Sequence, residues 1–345
     1  MMEALLRPDV FMWVKVVGVF LGVITLVAVG TWVERRGAAF IQDRVGPNRV
    51  ALFGKIRIMG LAQPLADGIK FFFKEDVIPN HVDKVLYAIA PILAFIPATM
   101  TFAAIPFGRS FDVDGVAYHL SVLPPETNIG VLYIFALASM GVYGIIVGAW
   151  ASNNKWSILG GMRASAQVIS YELAMTLAVV GVVLSAGSLR LDQIVASQAG
   201  MWNVVPQFIG ALVFFVAMFA ETNRLPFDFA EGESEIIGYH TEYMSMKFSM
   251  FALAEYANMI TAAGLFVTLY LGGWHFPYLD QWVWGSILVF LGKVGFMLWV
   301  FVWVRWTLPR FRYDQLMKLG WKVMIPLALL NMIVVALIMA YGGGQ

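Results

Sequence analysis

Apolar residues in this chain come in long runs separated by short polar stretches, and the lengths of the runs decide what they form. Eight runs, near 11–32, 84–106, 130–151, 163–186, 203–220, 248–271, 284–305 and 322–341, are long enough to cross a bilayer as helices, because about 30 Å of hydrocarbon takes roughly 20 helical residues. They are too continuous for the apolar–polar alternation of a barrel strand. Lipid offers the backbone no hydrogen-bond partner, so each run is predicted as a helix that satisfies its own amides. The expected fold is an all-α polytopic membrane protein with eight transmembrane helices. The stretch between the first two runs has another pattern. Leu61, Leu65, Ile69, Phe72 and Phe73 recur at helical spacing, while Gln63, Asp67, Lys70 and Lys74 lie mostly away from them. This predicts an amphipathic helix on the membrane surface, either floating there or forming one wall of a cavity that opens at it.

Composition agrees with that reading, since 60% of the 345 residues are hydrophobic and only 13% charged, far from the balance of a soluble domain. Charge then orients the chain. The loops after helices 1, 3, 5 and 7, with their helix edges, hold 18 of the 23 Lys and Arg residues. By the positive-inside rule these loops, about 33–83, 152–162, 221–247 and 306–321, face the cytoplasm or matrix and both termini face out. The first run lacks a small-x-small cleavage site and more spans follow it, so it is expected to stay as an anchor. Neither repeats nor long linkers divide the sequence, and residues 1–345 are expected to form a single transmembrane domain.

The candidate chemistry is carboxylate chemistry. The stretch "AETNRLPFDFAEGESE" opens a segment holding Glu221, Asp228, Glu231, Glu233, Glu235 and Glu242, with Arg224 as the only interior cation. It reads either as a solvated loop or as a confined acidic funnel. Four ionisable residues, Lys15, Glu172, Glu255 and Lys293, fall inside the runs, where a charge costs about 2.5 to 3.5 kcal/mol and usually faces water or a partner. Lys15 is close enough to the outer surface to snorkel. Glu172 shares a helical stripe with Ser165 and Thr176, and Glu255 shares one with Asn258 and, at its edge, Thr261. Such stripes also serve as glue between helices, although a Gln or Ser would do that work without the charge. Counted from the cytoplasmic starts of their runs, Glu172 lies about 13 Å deep and Glu255 about 10 Å. The expectation is an acidic row leading from the cytoplasmic surface toward the midplane, with Lys293 at its inner end, able to conduct protons. His81, His119, His240 and His275 are scattered without metal-ligand spacing, and no phosphate-cradling loop opens a soluble unit, so no self-contained catalytic site is expected. A nucleic-acid partner is not expected either, since the basic residues follow topology. Without cysteine the chain offers no thiolate for an iron–sulfur cluster, and a redox centre would belong to a partner.

Six segments, "ERRGAAFIQDRVGPNR", "QPLADGIKFFFKED", "WASNNKWSILGGMRASAQVISYE", "AETNRLPFDFAEGESE", "ALAEYANMI" and "PRFRYDQLMKLGWK", follow one another from about Glu34 to Lys322. In them the chain resembles a family of membrane subunits of respiratory complex I, the proton-translocating NADH:quinone oxidoreductase. The family is known as NuoH in bacteria and as NADH dehydrogenase subunit 1 in mitochondria. The resemblance implies an anchor for the hydrophilic arm that, with two subunits of that arm, forms the cavity where ubiquinone or menaquinone is reduced. Iron–sulfur clusters and FMN would sit only in partner subunits, and small membrane subunits and lipid would be neighbours. Carried onto matching positions, the resemblance implies quinone contacts at Arg35, Arg36, Gln42, Arg44, Asp67 and Gly68. It implies an acidic channel over Glu172, Glu221, Asp228, Glu231, Glu233, Glu235, Glu242 and Glu255. The setting would be a bacterial cytoplasmic membrane or a mitochondrial inner membrane. One departure is that "VALFGKIRIMG" lengthens the link between "GPNR" and "QPLAD". Two other readings of the carboxylates stay open: a related subunit of a membrane-bound hydrogenase, and an independent proton or cation transporter.

Overall fold

The computed structural model describes residues 8–51, 59–113, 116–124, 127–232, 235–236 and 238–342. Helix α1 (Pro8–Ile41) is followed by the short α2 (Gln63–Phe73), α3 (Lys84–Met100) with a 3₁₀ turn at Thr101–Ala104, and a small hairpin of β1 (Phe111–Val113) and β2 (Val116–Tyr118). Then come α4 (Gly130–Ala151), α5 (Lys155–Ala186), α6 (Leu191–Ser197), α7 (Phe208–Glu221), α8 (Ser245–Tyr270) and α9 (Val283–Thr307). The last span joins α10 (Tyr313–Leu319) through a π-helical turn, Gly320–Met324, to α11 (Ile325–Gly342). All eight apolar runs are therefore largely helical, and the chain is an all-α, multi-pass membrane protein. The hairpin, which pairs Phe111 with Tyr118 and Val113 with Val116, was not foreseen.

Among the described residues seven helices are long and apolar enough to cross a membrane, but α7, at the fifth predicted run, has only 14 residues. That is about 21 Å of helix, short of the bilayer core. The missing turn was given to a cap. Residues 203–207 precede α7 as turns, and there Asn203 Nδ2 donates to Leu269 O at 2.9 Å while the Val204 amide donates to Tyr270 O at 3.0 Å. Both carbonyls belong to the end of α8, where the helix has no amides left to give them. The short helix packs one side, along Ala211, Phe214, Ala217 and Met218, against its neighbours and leaves Phe208, Ile209 and Leu212 exposed on the other.

Two other helices begin or end beyond their apolar runs. Helix α5 starts at Lys155, capped by Asn154, whose side chain accepts from the Trp156 amide, and α1 continues through Arg35 and Arg36 to Ile41. Hydropathy marks where lipid ends, whereas Arg, Lys and Glu extend a helix as readily as Leu does. The predicted 152–162 loop is consequently only a turn. Helix α2 forms where periodicity placed it, with Leu65, Ile69, Phe72 and Phe73 exposed on its apolar side. Ser245 Oγ, at the start of α8, donates to Phe71 O at 2.8 Å and Lys74 O at 3.0 Å, which fastens the end of α2 to the bundle.

Helices α3 and α4 pack so closely that a Cβ at Gly144 would lie 2.7 Å from the Ala94 amide nitrogen and 2.8 Å from its Cα. Close backbone approach of this kind replaces the missing hydrophobic drive between helices in lipid. A Cβ at Gly141, one turn earlier on α4, would meet nothing within 4 Å. Gly144→Val is expected to push the two helices apart at a cost of about 1–3 kcal/mol and to lower the thermal midpoint of the detergent-solubilised protein. Gly141→Ala should leave that midpoint within experimental error.

Candidate site: a buried ionic hub and a row of carboxylates

Glu34 lies on α1 just past its apolar run and is only 6% exposed. Arg305 Nη1, from the last turns of α9, donates to Glu34 Oε1, and the Tyr256 hydroxyl, from α8, donates to Oε2. Arg224, in the segment after α7, stands 3.5 Å from the same Oε2, and its guanidinium lies 4.3 Å from the centre of the Tyr256 ring. A charge this deeply buried has to be matched inside the protein. One carboxylate faces two guanidiniums here, and Glu255 and Glu231 lie near enough for their charges to act on Arg224 as well. The sequence reading missed Glu34. In "ERR" it looks like one more surface charge at a helix edge, and only its place at the head of a recognised segment singled it out.

From the hub, carboxylates lead inward. The Glu231 amide donates to Asp228 Oδ1 at 3.3 Å, and Asp228 Oδ2 lies 3.8 Å from Arg310 Nη2. Burial, with Glu231 adding to it, pushes the Asp228 carboxyl above the ordinary range despite Arg310 and Arg305. Next comes Tyr239, whose hydroxyl donates to Glu255 Oε1 at 3.4 Å. Burial, then the charges of Glu255 and Glu231, hold its phenol well above the usual value, so it remains a proton donor. Beyond it a narrow cavity of about 30 Å³ is lined by Tyr239, Glu255, Asn258 and Glu221, with room for one or two waters. Glu221 Oε2 is buried there with no hydrogen-bond partner among the described residues. Past the cavity, on α5, Glu172 accepts from Ser139 Oγ of α4, and its charge acts on Glu221. Because α5 begins at Lys155, Glu172 is 17 residues into its helix, about 26 Å from the helix start, while its distance from the start of the apolar run remains about 13 Å.

The structure thus brings together Asp228, Glu231, Glu255, Glu221 and Glu172. Other expected members lie apart. Glu235, 40% exposed, receives a 2.8 Å hydrogen bond from Arg163, and Glu242 accepts from Asn154 at 2.8 Å near His81. Glu233 falls outside the described residues. Ser165 bonds back to Met162 O of its own helix and Thr176 is exposed, so the stripe predicted with Glu172 does not continue on either side. Thr261 is engaged with Thr101 at 3.0 Å.

Lys293 is not at the inner end of the row. Its ammonium donates to Leu271 O at 2.6 Å, Gly273 O at 3.0 Å and His275 O at 2.7 Å, and rests 4.3 Å from the Trp202 ring centre. Those carbonyls lie just beyond the end of α8 opposite Ser245. A cation with three donors suits a helix C-terminus, where carbonyls lack amides and the dipole is negative. The sequence shows that the charge is intramembrane, not which helix end it meets.

The expected quinone contacts gather where α1 meets α2. Arg35 Nη1 donates to Asp67 Oδ2 at 2.5 Å, and Gln63 Nε2 donates to Asp67 Oδ1 at 2.9 Å. Gly68, next along, faces open space, since a Cβ there would meet nothing within 4 Å. Arg36 donates to Met59 O at 3.0 Å, while Arg44 Nε pairs separately with Gln42 Oε1 at 2.7 Å. Residues 52–58 of the lengthened link lie outside the described residues.

Comparison with known proteins agrees over nearly the whole chain. The family model described as NADH dehydrogenase matches residues 14–336. An H-type subunit of NADH-quinone oxidoreductase from Geobacter sulfurreducens is 47% identical over 338 residues, covering 94% of each chain. The corresponding protein of Cytophaga hutchinsonii is 47% identical over 329 residues, covering 92% of this chain and 94% of its own. That of Leptospira biflexa is 48% identical over 329 residues, covering 91% and 90%.

The hub makes an asymmetric prediction. Glu34→Gln removes the carboxylate that touches both guanidiniums, whereas Arg305→Gln leaves the contact between Glu34 and Arg224 in place. Breaking a buried pair costs about 3–5 kcal/mol, so Glu34→Gln should lower the heat-resistant folded fraction, read by size exclusion after a temperature step, far more than Arg305→Gln. Equal losses would show that Glu34 does not hold Arg224.

Proposed function

The chain belongs to the NADH dehydrogenase family, and from that premise we propose that it is the membrane subunit beside which an NADH–quinone oxidoreductase reduces its quinone, passing the charge of that reaction to the buried carboxylate row. It is a membrane subunit of a larger enzyme complex, and electrons reach the quinone from partner subunits, because a chain without cysteine offers no thiolate to a cluster. The exposed apolar side of α2, Arg35 with Asp67, Arg36 and the open space over Gly68 form this chain's share of the cavity wall, with Gln42 and Arg44 nearer the arm. The observation that carries the reading is adjacency. Arg35 is paired on the wall with Asp67, and Glu34, the next residue, is the centre of the buried hub.

The coupling follows from electrostatics. Quinone becomes quinol by taking up electrons and protons, and negative charge arriving in a confined cavity raises the proton affinity of nearby carboxylates. It also draws guanidinium charge toward itself. Any loosening of Arg224 or Arg305 from Glu34 changes the field at Glu255, Glu231 and Asp228, which act on the same arginines. Carboxylates packed this closely titrate as a set, so a change at one end moves protons along the row. Tyr239 and the small cavity link Glu255 to Glu221, and Glu172 extends the path between α4 and α5. Glu235 and Glu242 belong to the mouth of the row. One transmembrane domain, both termini outside and a bacterial cytoplasmic membrane complete the reading, supported by the distribution of Lys and Arg.

In the assembled complex, Glu255→Gln, Glu221→Gln and Glu172→Gln should each lower quinone-linked NADH oxidation and proton pumping together by about tenfold, the effect of about 1.4 kcal/mol. Reduction of an artificial acceptor by the arm should persist. Glu235→Gln, outside the inner row, should cost markedly less. Undiminished turnover and pumping in all three inner variants, in complexes shown to be intact, would refute the relay. For topology, a reporter fused at Asn153 should report the cytoplasm and one fused after Gln345 the outside; a cytoplasmic C-terminus would reverse the assignment.

A further inference from the structure

Two cavities meet at the end of α8 remote from the carboxylate row. One is a groove of about 430 Å³ walled by Leu271, Leu279, Val289, Gly292 and Phe296 above Lys293. The other is a cleft of about 510 Å³ that includes Gln198, Met201, His275 and Asp280. Trp202 and Phe276 border both. The groove is apolar in spite of Lys293, whose three donors are spent on the carbonyls of Leu271, Gly273 and His275. The Gln198 amide is likewise spent, donating to Ile194 O and Thr268 O and accepting from the amides of Asn203 and Gly272. Among the described residues, His275 and Asp280 are the only ionisable ones lining the cleft, joined Nδ1 to Oδ2 at 2.8 Å. Asp280 is the one carboxylate among the described residues lining the cleft.

Depth distinguishes the two cavities. Tyr278, Trp282 and Trp284, 87%, 77% and 78% exposed, surround the start of α9, and aromatic side chains of this kind settle at the level of lipid headgroups. Val289 and Phe296 lie six and thirteen residues along α9 from Val283, about 9 and 20 Å further in. A polar, acidic cleft thus sits at headgroup depth beside an apolar groove at hydrocarbon depth, with Trp202 and Phe276 bordering both. Such a shape matches one amphiphile.

We propose that the adjoining cavities hold a phospholipid with a primary-amine headgroup, its ammonium on Asp280 and its acyl chain along residues 289–296. The carboxylate complements an ammonium and repels the net negative charge of a phosphatidylglycerol. Assignment to the outer leaflet rests on the topology given under the proposed function; the fit itself does not.

The test uses the whole complex in nanodiscs containing phosphatidylethanolamine or phosphatidylglycerol, each with the same diazirine-bearing acyl chain, with labelled peptides located by mass spectrometry. The ethanolamine lipid should label the α9 peptide about fivefold more than the glycerol lipid, the ratio that roughly 1 kcal/mol of headgroup attraction produces. Asp280→Asn should bring the two lipids level. Gly292→Leu, where a Cβ meets nothing within 4 Å, should fill the groove and abolish labelling by both. Equal labelling by the two lipids in the unaltered complex, labelling insensitive to both substitutions, or crosslinking of this face to a neighbouring subunit instead of lipid would each overturn the proposal. Labelling is read without turnover, so its failure leaves the quinone reading intact, and failure of the relay variants leaves this proposal intact.

Discussion

The contact on which the site depends is the one between Glu34 and the guanidiniums of Arg224 and Arg305. It joins α1, the segment after α7 and α9, and Tyr256 brings in α8 through both a hydrogen bond and a ring face. At such burial neither sign of charge can be left alone, because desolvation outweighs anything an isolated ion could gain from weak contacts. The arginines therefore hold the helices at a fixed spacing. The same arginines hold Asp228, Glu231 and Glu255 close to one another, where carboxylates by themselves would repel.

The arrangement gives the row two properties that a solvated acidic loop lacks. Its members share counter-charges, so protonation of one alters the others. They are also joined by groups that keep a proton to give, as Tyr239 does, and by a cavity wide enough for water. Glu235 and Glu242 have partners of their own, Arg163 and Asn154, and stand outside that sharing. An acidic sequence segment has in this way been divided into an inner set and a peripheral set by the fold.

Lys293 shows the same constraint with a different outcome. A cation within a span must find oxygen, and it found three carbonyls past the end of α8. Asn203 and the Val204 amide serve neighbouring carbonyls of that helix end, at the cost of the first turns of α7. Ionisable residues in lipid mark unmet polar groups as well as pathways, and only the identity of the partner separates the two cases.

What could be read from the sequence was whatever lipid imposes residue by residue. Run length located the spans, and periodicity of 3.6 located α2 with its exposed apolar side. The basic residues suggested an orientation, and the carboxylates between Glu221 and Glu255 pointed to a candidate site. The helix ends at Lys155 and Ile41 were not legible, because hydropathy reports lipid contact rather than backbone geometry. The burial of Glu34, the separation of Glu235 and Glu242 from the row, and the place of Lys293 were decided by tertiary structure alone. A charge is fixed by the sequence, but its solvent and its partner come from residues up to 271 positions away, as with Glu34 and Arg305, and no local pattern encodes which of them it will meet.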